Sequence, residues 1–156
     1  MAGKKRPVLY LVDGYNLIFR AFFAIRHLSA DDGTPTNAVF GTTRMILKLI
    51  KEKDPSHIAV IFDAGGKNFR HELYPEYKAN RPEAPEELKV QFPLVRELVE
   101  ALALPTIVKE GVEADDVIGT LATRAAGKGF DVIIVSGDKD MMQLIDEHVS
   151  LYDTMR

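Results

Sequence analysis

Seven carboxylates carry most of the chemistry that this sequence could perform: Asp13, Asp63, Glu113, Asp115, Asp116, Asp138 and Asp140. VLYLV precedes the first, IAVIF precedes the second, and VIIV lies shortly before the last pair. Such apolar runs are typical of buried parallel strands that end at one shared edge. Negative side chains gathered there would repel one another unless some are protonated or a hard cation lies among them. The sequence therefore predicts a divalent metal site.

Each carboxylate taken alone also has a purely structural explanation. Aspartate is common in turns and at helix N-caps, where it accepts backbone N–H bonds. Acids such as those of 113–116 can simply offset the macrodipole of a helix that begins there. The macrodipole explains one or two of the acids at 113–116 but not all of them. Because the helix becomes apolar at Val117 and Ile118, its acidic start should lie against the sheet edge, next to the strand-end aspartates.

The residue types predict which metal and which reaction. Oxygen ligands suit Mg²⁺ or Mn²⁺, whereas softer ions would call for cysteine, which is absent, or histidine. The histidines are scattered and are read as surface or helix-end residues: His27, His57, His71 and His148. Two hard cations about 4 Å apart hydrolyse phosphodiesters by activating water and stabilising the charge on phosphorus. Neither a GxxxxGK[ST] loop nor GxGxxG after the first strand occurs, which disfavours nucleoside triphosphates and dinucleotides.

A long connection after the second predicted strand, residues 64–88, alternates cations with aromatic side chains. Loops of this length are usually functional or disordered, and this one should border the acidic edge. Arginine and lysine can bind phosphates while tyrosine stacks on unpaired bases, although a solvated loop remains an alternative because several glutamates offset the charge. Arg20, on the first predicted helix, could likewise face a phosphate or lie at the surface. The residues are Lys67, Arg70, Tyr74, Tyr77, Lys78 and Arg81.

Strands must alternate with helices to position these groups. The apolar patterns predict strands at VLYLV, HIAVIFD, TIVK, FDVIIVSGD and HVSLYD. Helices are expected at LIFRAFFAIRHL, AVFGTTRMILKLIKEK, from Pro85 to Pro105, and at EADDVIGTLATRAAGK, with a helical turn at DMMQLI. This alternation predicts an α/β fold, a three-layer and mostly parallel sheet with helices on both faces.

Length and composition predict one domain, residues 1–156, with a net charge of -3 that argues against an unselective polyanion binder. The absence of cysteine excludes disulfides and suits a reducing cytoplasm. The apolar run after MAGKKRP is too short for a signal peptide, and nothing approaches the roughly 20 apolar residues of a membrane span. We therefore expect a cytoplasmic protein with no membrane partner. The chain stops at Arg156 directly after an apolar strand, which predicts a C-terminal truncation.

Four motifs, LYLVDGYN, VIFDAGGKNFRHELYPEYKANRPE, GVEADDVIGTLA and VSGDKDMMQL, resemble the 5′ nuclease (5′-3′ exonuclease) domain of bacterial DNA polymerase I, a member of the flap endonuclease family. The resemblance implies the PIN-like 5′ nuclease fold. It implies hydrolysis of phosphodiester bonds at DNA 5′ ends and 5′ flaps, as in primer removal and repair, with two Mg²⁺ or Mn²⁺ ions. DNA is the implied partner, and a covalently linked polymerase domain is a second one.

The resemblance also assigns roles to individual residues. Lys78 and Arg81 correspond to basic residues of a helical arch that contact the scissile phosphate, Tyr77 lies beside them, and Arg20 and Arg70 match further phosphate contacts. The family continues past this length with further aspartates and a helical DNA-binding module, which this chain lacks. Two alternatives therefore remain, a catalytically impaired DNA-binding fragment and a PIN-type ribonuclease. The implied metal-site acids are Asp13, Asp63, Glu113, Asp115, Asp116, Asp138 and Asp140.

Overall fold

A single sheet organises the chain in the computed structural model, which describes residues 6–63, 85–109 and 112–154, apart from the side chain of Asp63. Five strands of this part of the chain pair in the order β3-β2-β1-β4-β5, and every pair is parallel. The strands are β1 Val8–Asp13, β2 His57–Asp63, β3 Thr106–Lys109, β4 Asp131–Val135 and β5 Val149–Tyr152. The strand order reverses between β1 and β4, which is the switch point where ligands bind in open α/β sheets.

Helices cover both faces of the sheet, so the predicted three-layer, mostly parallel architecture is confirmed. One apolar cluster joins Val12 and Phe62 to the first four helices, and the other joins Leu11 and Ile134 to the fifth helix. Successive residues of β1 thus pack on opposite faces, as the pleat requires. The helices are α1 Gly14–Ala24, α2 Asn37–Lys53, α3 Glu86–Lys89, α4 Gln91–Ala101 and α5 Ala114–Gly127, with a 3₁₀ helix at Lys139–Leu144.

The helix predicted from Pro85 to Pro105 is instead two helices, α3 and α4, separated by Val90. Gln91 begins α4 and is fully buried, and its amide oxygen accepts the N–H groups of Ala38 and Val39 at 2.8 and 3.0 Å. Its amide nitrogen donates to Asn37 Oδ1 at 2.9 Å. Gln91 therefore supplies hydrogen bonds to the start of α2, where helix N–H groups have no intrahelical partner. α4 ends at Ala101, before Pro105.

The predicted substrate loop, residues 64–88, lies outside the described residues except for 85–88, of which 86–88 already belong to α3. Pro85 immediately precedes this helix, and acids occupy its first turn, where they offset the macrodipole. Across the ranges that the structure describes, no helix has both the length and the apolar character that crossing a membrane would require.

Glycine at position 41 lets α1 and α2 pack at close range. A Cβ added to Gly41 would lie 2.5 Å from Ile25 Cδ1 and 2.6 Å from Ala21 Cβ. We expect Gly41→Ala to lower the free energy of unfolding by about 1–2 kcal/mol, because overpacking outweighs the gain in helix propensity. Gly127→Ala is the matched control, since no atom lies within 4 Å of the added methyl group. Urea unfolding of both variants tests this, and equal stabilities would contradict the close packing.

Candidate metal centre

The switch point of the sheet brings the predicted acids to one edge. β1 and β4 are neighbours with Val12 opposite Val135, so Asp13 and the loop that begins at Ser136 leave the sheet at the same level. β2 flanks β1 on the other side and ends at Asp63. The backbones of these segments therefore meet at the carboxyl edge, as the apolar runs predict.

Hydrogen bonds connect three of the acids through Ser136. Asp13 is 5% exposed and Ser136 is fully buried, and the serine hydroxyl donates to Asp13 Oδ2 at 2.9 Å. The same hydroxyl oxygen accepts the backbone N–H of Asp138 at 3.0 Å. Asp138 Oδ1 in turn accepts the N–H of Asp140 at 2.9 Å and caps the 3₁₀ helix. One carboxylate oxygen of Asp138 thus has a structural role at the start of the 3₁₀ helix.

A second link ties the same loop to α1. The N–H of Gly137 donates to Asn16 Oδ1 at 2.7 Å. Sequence reasoning missed both Asn16 and Ser136 as positioning residues, although they lie inside the motifs LYLVDGYN and VSGDKDMMQL. A polar residue close to each strand-end aspartate is the signal that could have found them.

Burial and like charges perturb the carboxyl group at the centre of this edge. The pKa of Asp13 is raised to about 7, mainly by burial and also by the negative charges of Asp115 and Asp138, while the hydrogen bond from Ser136 acts in the opposite direction. The effect of Asp115 and Asp138 on this pKa shows that the start of α5 and the loop after β4 lie close to Asp13. The structure therefore brings Asp115 and Asp138 each into the neighbourhood of Asp13.

The remaining acids are arranged around this group. Glu113 is the N-cap residue of α5 and is 5% exposed, Asp116 lies in the first turn with its Oδ2 atom buried, and Asp140 is exposed. Among the described side chains, which do not include that of Asp63, no three Asp, Glu or His residues are close enough to hold a metal ion as a preformed group.

The predicted phosphate contacts divide into two groups. Arg70, Tyr77, Lys78 and Arg81 lie outside the described residues. Arg20 projects from α1, and its Nη1 lies 2.9 Å from Asp153 Oδ1, with 28% of the arginine side chain exposed. The structure thus places Arg20 at the acidic edge, in an ion pair that the sequence did not predict.

Known proteins resemble this chain over nearly its whole length. A family model described as "5'-3' exonuclease, N-terminal resolvase-like domain" matches residues 8–156. DNA polymerase I of Bacillus caldotenax is 50% identical over 143 residues, which are 92% of this chain and 16% of that protein. A 5'-3' exonuclease of Aquifex aeolicus is 44% identical over 147 residues, which are 94% of this chain and 51% of that protein.

Solved structures show the same likeness. The 5'-exonuclease of bacteriophage T5 with bound zinc ions has a TM-score of 0.68 and 27% identity, covering 94% of this chain and 55% of that one. A bacteriophage T5 flap endonuclease in a pseudo-enzyme-product complex with DNA and metal ions has a TM-score of 0.71 and 29% identity, covering 94% and 54%. The chain thus spans about half of these phage enzymes and a far smaller part of the DNA polymerase I relative.

The raised pKa of Asp13 predicts that the metal-free protein loses stability as the pH rises. Its folded-state pKa of about 7 lies above the roughly 3.9 of an unfolded aspartate. The folded state therefore holds an extra proton between these values, and the associated stability, of order 4 kcal/mol, is present below about pH 4 and lost through about pH 7. Urea unfolding in chelator at about pH 5 and about pH 8 measures this loss.

Asp13→Asn supplies the control for that measurement. The amide is nearly isosteric and can still accept the hydrogen bond from Ser136, but it cannot ionise. The variant should be more stable than the parent at the higher pH and should lose less stability between the two conditions. An unchanged pH dependence in this variant would show that Asp13 titrates normally.

Proposed function

Because the chain belongs to the family of 5'-3' exonuclease N-terminal resolvase-like domains, we propose that it is a divalent-metal-dependent, structure-specific 5′ nuclease. Its substrates would be phosphodiester bonds at DNA 5′ ends and at 5′ flaps. The observation that carries the proposal is the buried carboxyl group of Asp13, whose pKa is raised by burial and by the nearby charges of Asp115 and Asp138. Carboxylates that repel one another at a strand edge are the donors that a hard cation stabilises.

The donor set fits magnesium or manganese. It consists of carboxylate oxygens, with no cysteine in the chain, and hard divalent cations prefer oxygen ligands. One related phage structure holds zinc and another holds metal ions together with DNA, which supports a divalent cofactor. We propose Mg²⁺ or Mn²⁺, two ions in the complete site. The proposed ligands are Asp13, Asp63, Glu113, Asp115, Asp116, Asp138 and Asp140, some of them through water.

Bound ions would activate the attacking water and offset the negative charge that develops on the phosphate. The protein's own part is to hold the carboxylates in place before DNA binds. Ser136 fixes Asp13 and the start of the following loop, and Asn16 fixes Gly137. Lys78 and Arg81 are proposed to stabilise the charge on the scissile phosphate, since cations aimed at developing charge lower a barrier most effectively.

DNA is the proposed partner, with Arg20, Arg70 and Tyr77 as substrate contacts. One phage relative was solved with DNA, and the DNA polymerase I relatives are much longer than this chain, which supports a polymerase domain elsewhere in the protein. We propose that the protein works in the cytoplasm, whose reducing conditions suit a chain without cysteine.

A 5′-flap cleavage assay tests the function. We expect cleavage with Mg²⁺ or Mn²⁺, none with chelator, and a loss of at least about 100-fold in kcat for Asp115→Ala, because electrostatic stabilisation of the transition state is lost. Glu147→Ala is the matched control: Glu147 is an acid with 84% of its side chain exposed, just before the start of β5 and away from the carboxyl edge.

The outcomes separate the alternatives. Cleavage that survives Asp115→Ala, or that persists in chelator, would refute the metal-dependent mechanism. DNA binding without cleavage would favour an impaired binding fragment. Cleavage of single-stranded RNA in preference to the DNA flap would favour a PIN-type ribonuclease.

Metal and proton should compete at Asp13. Because the neutral carboxyl must lose its proton to become a ligand, stabilisation by Mn²⁺ should increase as the pH rises toward the folded-state pKa of about 7 and level off above it. Thermal unfolding with and without Mn²⁺ at several pH values measures this. Asp13→Asn should bind Mn²⁺ more weakly and with a flatter pH dependence, whereas an identical pH profile in the variant would exclude Asp13 as a ligand.

A further inference from the structure

The Arg20 guanidinium lies at the carboxyl edge, between Gly137 and Asp153. A Cβ added at Gly137 would overlap the guanidinium group, so Arg20 packs directly on the backbone of the residue before Asp138. Nη1 of Arg20 lies 2.9 Å from Asp153 Oδ1. A side chain at position 137 would therefore displace the guanidinium from its present place.

Helix α1, the loop after β4 and the end of β5 meet around Arg20. Asn16 and Arg20 are four residues apart on α1, so they lie on the same face of the helix, and Asn16 accepts the N–H of Gly137 at 2.7 Å. The N–H of Ser136 donates to the carbonyl oxygen of Tyr152 at 3.1 Å, which extends the pairing of β4 with β5. Asp153 therefore lies beside the loop that carries Asp138.

A guanidinium at this edge has competing acceptors. Asp138 follows Gly137 directly, and its carboxylate is one such acceptor. A salt bridge from Arg20 to that carboxylate would neutralise a proposed metal ligand. Asp153 lies outside the proposed ligand set, and its carboxylate forms the salt bridge with Arg20 instead. One Nη1 contact also leaves Arg20 other N–H donors, and the planar fork of arginine suits phosphate.

We propose that Asp153 is a positioning residue that holds Arg20 over Gly137, away from the metal-site acids and oriented toward a DNA phosphate. The inference rests on the proposed function and adds a residue to it. Both side chains are only partly buried, at 28% and 21% exposure, and ion pairs of that kind add little stability. The consequence of the pair should therefore be seen in substrate binding rather than in folding.

The test is a double-mutant cycle in the full-length protein, with flap cleavage measured as KM and kcat. Asp153→Ala should raise KM about threefold to tenfold with a smaller change in kcat, and Arg20→Ala should raise KM by at least as much. In the Arg20→Ala background, Asp153→Ala should have no further effect, because its role acts through that arginine. Asp153→Glu should recover part of the loss, and Asp153→Asn, which keeps the shape, should behave like Asp153→Ala.

Salt dependence gives a readout that a merely structural role would not change. Loss of one phosphate contact should lower the slope of log affinity against log salt by about 1 in both Arg20→Ala and Asp153→Ala. Asp131→Ala is the matched control, because Asp131 Oδ1 forms a similar pair with Arg6 at 3.0 Å, at the start of β4 and the opposite edge of the sheet. It should change neither KM nor the salt slope.

Each contrary result identifies what has failed. An unchanged or lowered KM in Asp153→Ala, additive effects in the cycle, or a change equal to that of Asp131→Ala would each overturn the positioning role. If Asp115→Ala also cleaves normally, the proposed function itself has failed. If Asp115→Ala is inactive while Asp153→Ala equals the parent, only the positioning role has failed.

Discussion

Burial of Asp13 and its repulsion by neighbouring carboxylates are the main physical constraint at the carboxyl edge of the sheet. Asp13 is nearly fully buried, and its charged form is opposed both by burial and by Asp115 and Asp138. A group of this kind needs a proton or a cation to offset its charge. The neighbouring hydrogen bonds therefore hold in place an arrangement that is unfavourable when fully ionised, which is a common feature of functional sites.

Within the described part of the chain, hydroxyl and backbone groups supply the hydrogen bonds that lower the pKa of Asp13. The Ser136 hydroxyl donates to Asp13. The residue after Asp13 is a glycine because α1 begins directly against β2. A Cβ at Gly14 would lie 2.5 Å from Phe62 Cε1, so any larger residue would displace the helix or the aromatic ring. In the Asp13-Gly14 pair, a proposed metal ligand is thus followed directly by the glycine that lets α1 approach β2 closely.

The sequence predicts the sheet and its carboxyl edge because both depend on local pattern: apolar runs of strand length, three of which have a candidate aspartate at or shortly after their ends. It does not predict Gln91 as the residue that bonds to the start of α2, nor the break between α3 and α4. Ser136 and Asp13 are 123 positions apart, and the partner of Arg20 lies at Asp153. Periodicity carries no information on which distant side chains meet, so such contacts follow only from the assembled fold.

Arg20 shows how the charges at this edge are kept separate. A guanidinium beside Asp138 could neutralise the acids permanently, which would stabilise the metal-free protein but remove a site for a cation. Arg20 pairs instead with Asp153, and the pKa of Asp13 is raised mainly by burial and also by the charges of Asp115 and Asp138. With a pKa of about 7, Asp13 can lose its proton near neutral pH, as the proposed binding of a divalent ion would require. The proposed chemistry thus needs negative charge at a position where that charge lowers the stability of the metal-free fold.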